Sequence, residues 1–357
     1  KVFGSKINNK KNGVWVEYEV TGKIKNYHTF QDDVLNGWFA EYDVHGTILR
    51  EGLILNNDYS GLMYEYENGK LLKKRKWLFP YSLKPDSIKQ KYFFESIYDL
   101  STGMIRSEGF WRGDKKDSIW KHYDEQQSLK AIERYKEGKK TGIQERYYAN
   151  GSLCERATFK ENKLFGERLL LTENADTTEY GNYISNQRDG FFILIDQVSI
   201  KDLYEDVKKY RIEANYLNGY LNGKVLFKYL SGVVASEEYY LNSKLNGYRK
   251  LYFENGIQVY SCEYLNGVKS GLELAYYASG LKKSESFFLN GKLNGKQIYF
   301  YENGNKSEIF IFKDGVLEKL SRFYQNGNLM QESLYKKGVV ISNQTFDESG
   351  KKILNNK

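Results

Sequence analysis

The chain has 357 residues, with 54 Lys and Arg against 46 Asp and Glu for a formal net charge of +8, and it carries 32 Tyr, 32 Gly and two Pro. The charges are mixed in sign along nearly the whole length, which argues against a dedicated nucleic-acid binder. The absence of any run of 18 apolar residues excludes an apolar spanning helix, and Cys154 and Cys262, 108 residues apart, offer no disulfide framework.

Glycine recurs with a period of 24 residues: at Gly13, Gly37 and Gly61, at Gly142, Gly166 and Gly190, and at Gly223, Gly247, Gly271 and Gly295. Phe93 and Asp117 fill two starts by register, and degenerate copies follow near Glu318 and Ile341, for about fourteen units. A fixed period means a repeat architecture, whose length no single core limits.

Within a unit, an alternating segment after the glycine carries an aromatic at its fifth position, at Tyr18, Tyr42, Tyr66, Tyr98, Tyr147, Tyr252, Tyr276 and Phe300. That pattern predicts a strand. A turn follows, usually Asn-Gly or Ser-Gly, as at Asn68-Gly69 and Asn255-Gly256, where glycine supplies the positive φ of a tight hairpin. A second strand then reaches a large residue seven positions before the next start, including Phe159, Tyr183, Tyr216, Tyr240, Tyr264 and Phe288. Three residues later comes Gly, Asn, Asp or Ser, again suited to a left-handed turn.

The predicted fold class is therefore all-β, an elongated single-layer antiparallel meander of about fourteen 24-residue β-hairpin repeats. Two aromatic ladders take the place of a globular core. At the usual strand spacing, such a sheet would measure roughly 130 Å before twisting.

The period breaks twice, which divides the chain into repeats at 13–69, an irregular basic insertion at 70–92, repeats at 93–197, an insertion at 198–213 and repeats at 214–357. The first insertion holds both prolines and the basic run Lys73, Lys74, Arg75 and Lys76; the second places Leu203, Val207 and Tyr210 at helical spacing, which predicts a short helix. Insertions in arrays map to loops, often on the binding face. The copies at Gly166 and Gly190 lack the Asn-Gly turn, so their geometry is expected to be the least regular.

The unit, with Tyr-x-Asn-Gly, a second glycine four residues later, a Tyr-rich strand and another Asn-Gly, resembles the MORN repeat and more closely its bacterial variant form. The resemblance covers nearly the whole chain, Gly13 to Gly350. It implies a binding scaffold without catalysis of its own. Chains built mainly of the variant repeat are similar to the YwqK-like group of antitoxin and immunity-type proteins, which implies a toxin as protein partner. An exported or envelope-associated scaffold that binds glycan or host protein is the alternative. The wider family also implies contact with anionic lipid surfaces, to which this composition lends little. The chain opens at Lys1 without methionine, which fits a trimmed or a processed N-terminus and leaves a cytoplasmic and an exported compartment both open.

No cofactor, metal site or catalytic residue is expected. His28, His45 and His122 stand apart from any ligand-like spacing of Cys or carboxylates. Glu51, Glu108, Glu133, Glu237, Glu285 and Glu332 alternate with Lys and Arg, the pattern of cross-strand pairing on a solvated sheet. The candidate partner-binding residues are Lys73, Lys74, Arg75, Lys76, Trp77, Phe79 and Tyr81 in the first insertion and Tyr204 and Tyr210 in the second, because aromatic and cationic side chains on irregular segments make good interface anchors.

Overall fold

The structure, a computed structural model, describes residues 1–78, 92–198, 200 and 207–353. It is all-β, and among the described residues there is no helix. Two compact units, Lys1–Asp176 and Thr177–Lys357, can be distinguished. In each, strands pair with their chain neighbours in an antiparallel meander, from Val2–Ile7 to Lys163–Leu171 in the first and from Thr177–Ile184 to Lys352–Ile353 in the second.

Of the two kinds of turn, both expected to be short, the junction turns take the tight form and most of the turns inside repeats do not. The tight hairpins lie at the repeat junctions, where two consecutive residues take positive φ, as at Asn266 (51°) with Gly267 (85°) and at Asp32 (49°) with Asp33 (70°). This is the two-residue turn whose twist matches that of its strands. Most Asn-Gly and Ser-Gly sites inside repeats form wider loops. In one, Phe253 N–H donates to the Ile257 carbonyl at 2.9 Å, Gly256 N–H donates to the Phe253 carbonyl at 2.8 Å, and the Asn255 side chain accepts from Ile257 N–H at 3.0 Å. Asn68-Gly69 alone of the quoted sites keeps the tight form, with Glu67 facing Lys70.

The start glycine is a bulge position and not a turn. Cys262 faces Glu273 and Tyr264 faces Lys269, so the register jumps, and Gly271 lies in the jump with φ of 99°. Extra residues in one strand of a pair need such a backbone, and glycine adopts it without steric cost. Two starts assigned by register alone are corrected. Ser118, one residue beyond Asp117, takes the left-handed conformation (φ 56°), and the strand Tyr92–Tyr98 runs through Phe93 with no register jump.

The loops are tied from repeat to repeat by tyrosines that the period did not single out. The tyrosine directly after the fifth position donates its hydroxyl to the backbone carbonyl of the next fifth-position residue. The bonds are Tyr148 to Leu171 (2.7 Å), Tyr229 to Tyr252 (2.9 Å), Tyr277 to Phe300 (2.6 Å) and Tyr301 to Phe323 (2.8 Å).

Strands extend into both stretches expected to be insertions. Lys70–Trp77 is a strand paired on both sides, and residues 79–91 of the expected insertion lie outside the described residues. The strand Gln187–Val198 pairs without a bulge with Lys208–Leu217, from Gly190 facing Tyr216 to Val198 facing Lys208. The surplus thus lengthens a hairpin, and residues 208–213 are strand where a helix was expected. Leu203, together with the prolines Pro80 and Pro85, lies outside the described residues. The copy at Gly166 keeps its bulge, with Gly166 at φ 109°, and Thr172 and Asp176 close its loop by a backbone bond without an Asn-Gly pair.

Candidate partner-binding surface

Strand alternation gives each unit two faces, and the two predicted aromatic ladders stand on opposite ones. The residues seven before each start share a face with the buried residues, here the packed face, as Tyr240 and Tyr264 do beside Leu251 and Cys262. Phe159, Tyr183, Tyr216 and Phe288 occupy the same position in their repeats. The fifth-position residues Tyr18, Tyr42, Tyr66, Tyr147, Tyr252, Tyr276 and Phe300 belong to the outer face and are half-buried.

On the packed face of Lys1–Asp176 ring contacts run without a break. Their centroid distances are His28–Phe39 5.8 Å, Phe39–Tyr59 5.7 Å, Tyr59–Trp77 6.3 Å, Trp77–Phe93 4.4 Å, Phe93–Trp111 6.3 Å, Trp111–Trp120 5.4 Å and Trp120–His122 6.5 Å. Beside the rings runs a chain of ions. Arg50 grips Glu41 at 2.5 and 2.9 Å, and Arg75 bridges Glu65 and Glu95 at 2.6 Å each. In Thr177–Lys357 the buried Arg249 donates to Glu238 at 3.0 Å, and Tyr240 and Ser236 donate to the same carboxylate at 2.5 and 2.8 Å. Such fully donated carboxylates hold strands together and are poorly placed to take a proton from a substrate.

Glu133 accepts from three different side chains. The His122 ring at 3.0 Å, Lys140 at 2.6 Å and Tyr135 at 2.7 Å hold its carboxyl well below the usual carboxylate range. On the outer face, burial and the neighbouring carboxylates Glu51 and Glu108 push the hydroxyls of Tyr66 and Tyr123 up to about 12. Burial raises the Cys262 thiol to about 11, so it is a poor nucleophile at neutral pH.

The candidate residues of the sequence do not form one site. Lys73, Arg75 and Trp77 point to the packed face, where Arg75 is spent on two glutamates, Lys73 lies 4.0 Å from Glu65, and Trp77 is a rung between Tyr59 and Phe93. Lys74 lies over the Tyr64 ring at 5.9 Å on the outer face, and Lys76 is exposed beside it. The expected solvated basic loop is thus a structured strand whose charges are split between two faces. Tyr210 is 0 % exposed, packed with Ile200 against Tyr229, so it anchors the core and offers nothing to a partner. Phe79, Tyr81 and Tyr204 lie outside the described residues.

The open apolar surface is elsewhere. The residue directly after the start glycine points outward, at Phe191 (48 % exposed), Tyr248 (51 %) and Leu272 (49 %), and Phe287 (44 %) faces Leu272 across the strands. A parallel exposed row at the junction turns is formed by Leu217 facing Tyr220 and Leu265 facing Val268, with Leu241 and Leu289. The signal was in the sequence: an apolar side chain recurs where strand alternation calls for a polar one.

The model of the MORN repeat variant matches residues 140–161, 293–314 and 319–337. Comparison with curated proteins gives no match. Among solved structures the chain is similar to TcdB2-TccC3 without its hypervariable C-terminal region, at 12% identity and a TM-score of 0.18 over 94% of this chain and 23% of that one. It is also similar to the Photorhabdus luminescens Tc holotoxin pore, at 10% identity and a TM-score of 0.16 over 95% of this chain and 21% of that one. The chain thus spans less than a quarter of the length of either. Three stretches of the chain thus match the MORN repeat variant, and they lie in an array of paired strands with a 24-residue period.

Proposed function

We propose that this chain is a non-enzymatic repeat scaffold that binds a protein partner across the outer face of Thr177–Lys357. The supporting observation is the exposed row of Phe191, Tyr248, Leu272 and Phe287 on a sheet whose other face is already packed and ion-paired. Exposed apolar side chains that recur on one face, here with Lys224 between Phe191 and Tyr248, mark an interaction surface, and rigid aromatic side chains bind at low entropy cost.

Neutralisation of a toxin by direct binding is the finer reading, and it rests on the resemblance to immunity-type repeat proteins. The test pairs the purified chain with the product of the neighbouring gene in calorimetry, then compares Tyr248→Ala/Leu272→Ala/Phe287→Ala. Loss of this central patch should weaken binding by about tenfold or more, with the far-UV circular dichroism unchanged. A triple variant that binds as tightly as the parent would sink the assignment of the surface. Absence of any complex would sink the toxin reading.

A further inference from the structure

A second surface, in Lys1–Asp176, carries an ordered row of charge. At three consecutive junction turns the residues flanking the tight hairpin are both cations and directly opposite each other: Arg112 with Lys115, Lys136 with Lys139 and Lys160 with Lys163. All six are exposed. At other junctions the same positions hold apolar or mixed pairs, such as Leu55 with Asp58, Ile184 with Gln187 and Leu265 with Val268.

Like charges across a hairpin end, with Cβ atoms roughly 5 Å apart, destabilise the strand pair. Three such pairs in succession are a cost that folding does not require, since neutral residues serve elsewhere. The spacing is as informative as the sign. Successive pairs are separated by two strands, roughly 9.6 Å at the usual strand spacing. Each turn also holds one carboxylate, Asp114, Glu137 or Glu161, and Glu161 reaches Lys139 at 3.6 Å. These interleaved acids repel a polyanion with a charge about every 3.4 Å, such as a nucleic-acid strand. Beside the row stand the aliphatic Ile119 and Ile143, and the ring of Phe165 is taken by Lys160, whose Nζ lies 5.2 Å from its centroid, so bases meet no series of open stacking platforms.

A partner with one negative charge about every 9–10 Å meets the cation pairs and steps over the acids. A polyproline II segment rises about 3.1 Å per residue with three residues per turn, so every third side chain recurs on one face at roughly 9.3 Å. We propose that this row, from Arg112 to Lys163, is a docking site for an extended acidic protein segment with carboxylates at every third position. The proposal rests on the reading of the chain as a protein binder but uses a surface separate from the outer-face row of the other unit.

The full chain is titrated with two labelled proline-rich peptides of equal length and charge, one with glutamate at every third position and one at every second. The first should bind about tenfold tighter at low salt, weakening as salt screens the charges. Lys136→Gln/Lys139→Gln/Lys160→Gln/Lys163→Gln should remove that preference without lowering the thermal midpoint, because it relieves repulsion. Equal affinity for both peptides, no binding of either, an unaltered preference in the quadruple variant, or tighter binding of a single-stranded oligonucleotide or of anionic phosphatidylserine vesicles would each overturn the proposal. Since Tyr248, Leu272 and Phe287 lie outside this surface, their triple variant should bind the peptide normally, which separates failure here from failure of the outer-face reading.

Discussion

At the scale of single residues, the packed face is built from complementary pairs eleven positions apart. A Cβ added to Gly109 would come within 2.4 Å of the Trp120 ring, and one on Gly181 within 2.2 Å of the Phe192 ring. Other repeats fill the same pair of positions with Ala157 and Arg168, Ala214 and Val225, or Glu238 and Arg249. In the Gly109–Trp120 and Gly181–Phe192 pairs the ring thus occupies the space that a side chain on the neighbouring strand would need, whereas Phe39 stacks on His28. Gly181→Ala should destabilise by about 1–3 kcal/mol through overpacking, and Phe192→Val in the same chain, which recreates the Ala214–Val225 pair, should recover most of that in urea titrations. Glu133 makes a second prediction. Its carboxyl is held below its unfolded value, so the stability it contributes is present above the ordinary carboxylate range and is lost as pH falls through that range towards the folded value. Thermal midpoints of the parent should therefore drop on acidification more steeply than those of Glu133→Gln.

The hairpins and loops show which signals were local. Positive φ three residues after the large second-strand residue was predicted and is found at Asp33, Gly267 and Gly291, because the requirement belongs to the residues of the turn themselves. The tyrosine tie was not foreseen. Its acceptor lies 22 or 23 residues away, and nothing in one repeat announces it. Removing one neutral hydrogen bond costs about 1 kcal/mol, so Tyr301→Phe should lower stability by that amount in chemical denaturation. Phe253 occupies the same place after Gly247 and lacks the hydroxyl; Phe253→Tyr should add a tie to the Tyr276 carbonyl and raise stability by a similar amount. Residues 208–213, expected within a short helix at 198–213, are strand for a related reason. Val207 and Tyr210 have helical spacing, yet Tyr210 is fixed by burial against Phe227 and Tyr229 in the next repeat.

For the whole chain, the period has a direct consequence. In an array, stability is a sum over repeats and their neighbours. Deleting Gly247–Ser270, one 24-residue period of the second unit, therefore joins equivalent positions. That variant should keep the far-UV circular dichroism of a sheet and unfold cooperatively. Deleting only its first half removes a single strand, leaving the following strands in the wrong direction for their partners. It should give no cooperative transition. If both variants folded equally well, the hairpin pair would not be the unit of the fold.

The sequence by itself determined the all-β class, the period, the strand alternation and the left-handed junction turns, since each depends on residues within one turn or strand. It also showed that charges of both signs are mixed along the chain. Only the tertiary structure decided which turn is the tight one, that the repeat glycine serves a bulge, and that the two aromatic ladders stand on opposite faces. It alone divided Lys73, Arg75 and Trp77 from Lys74 and Lys76, and buried Tyr210. Those outcomes depend on register between strands and on the side chains each strand meets across the sheet, which a single repeat read in isolation does not contain.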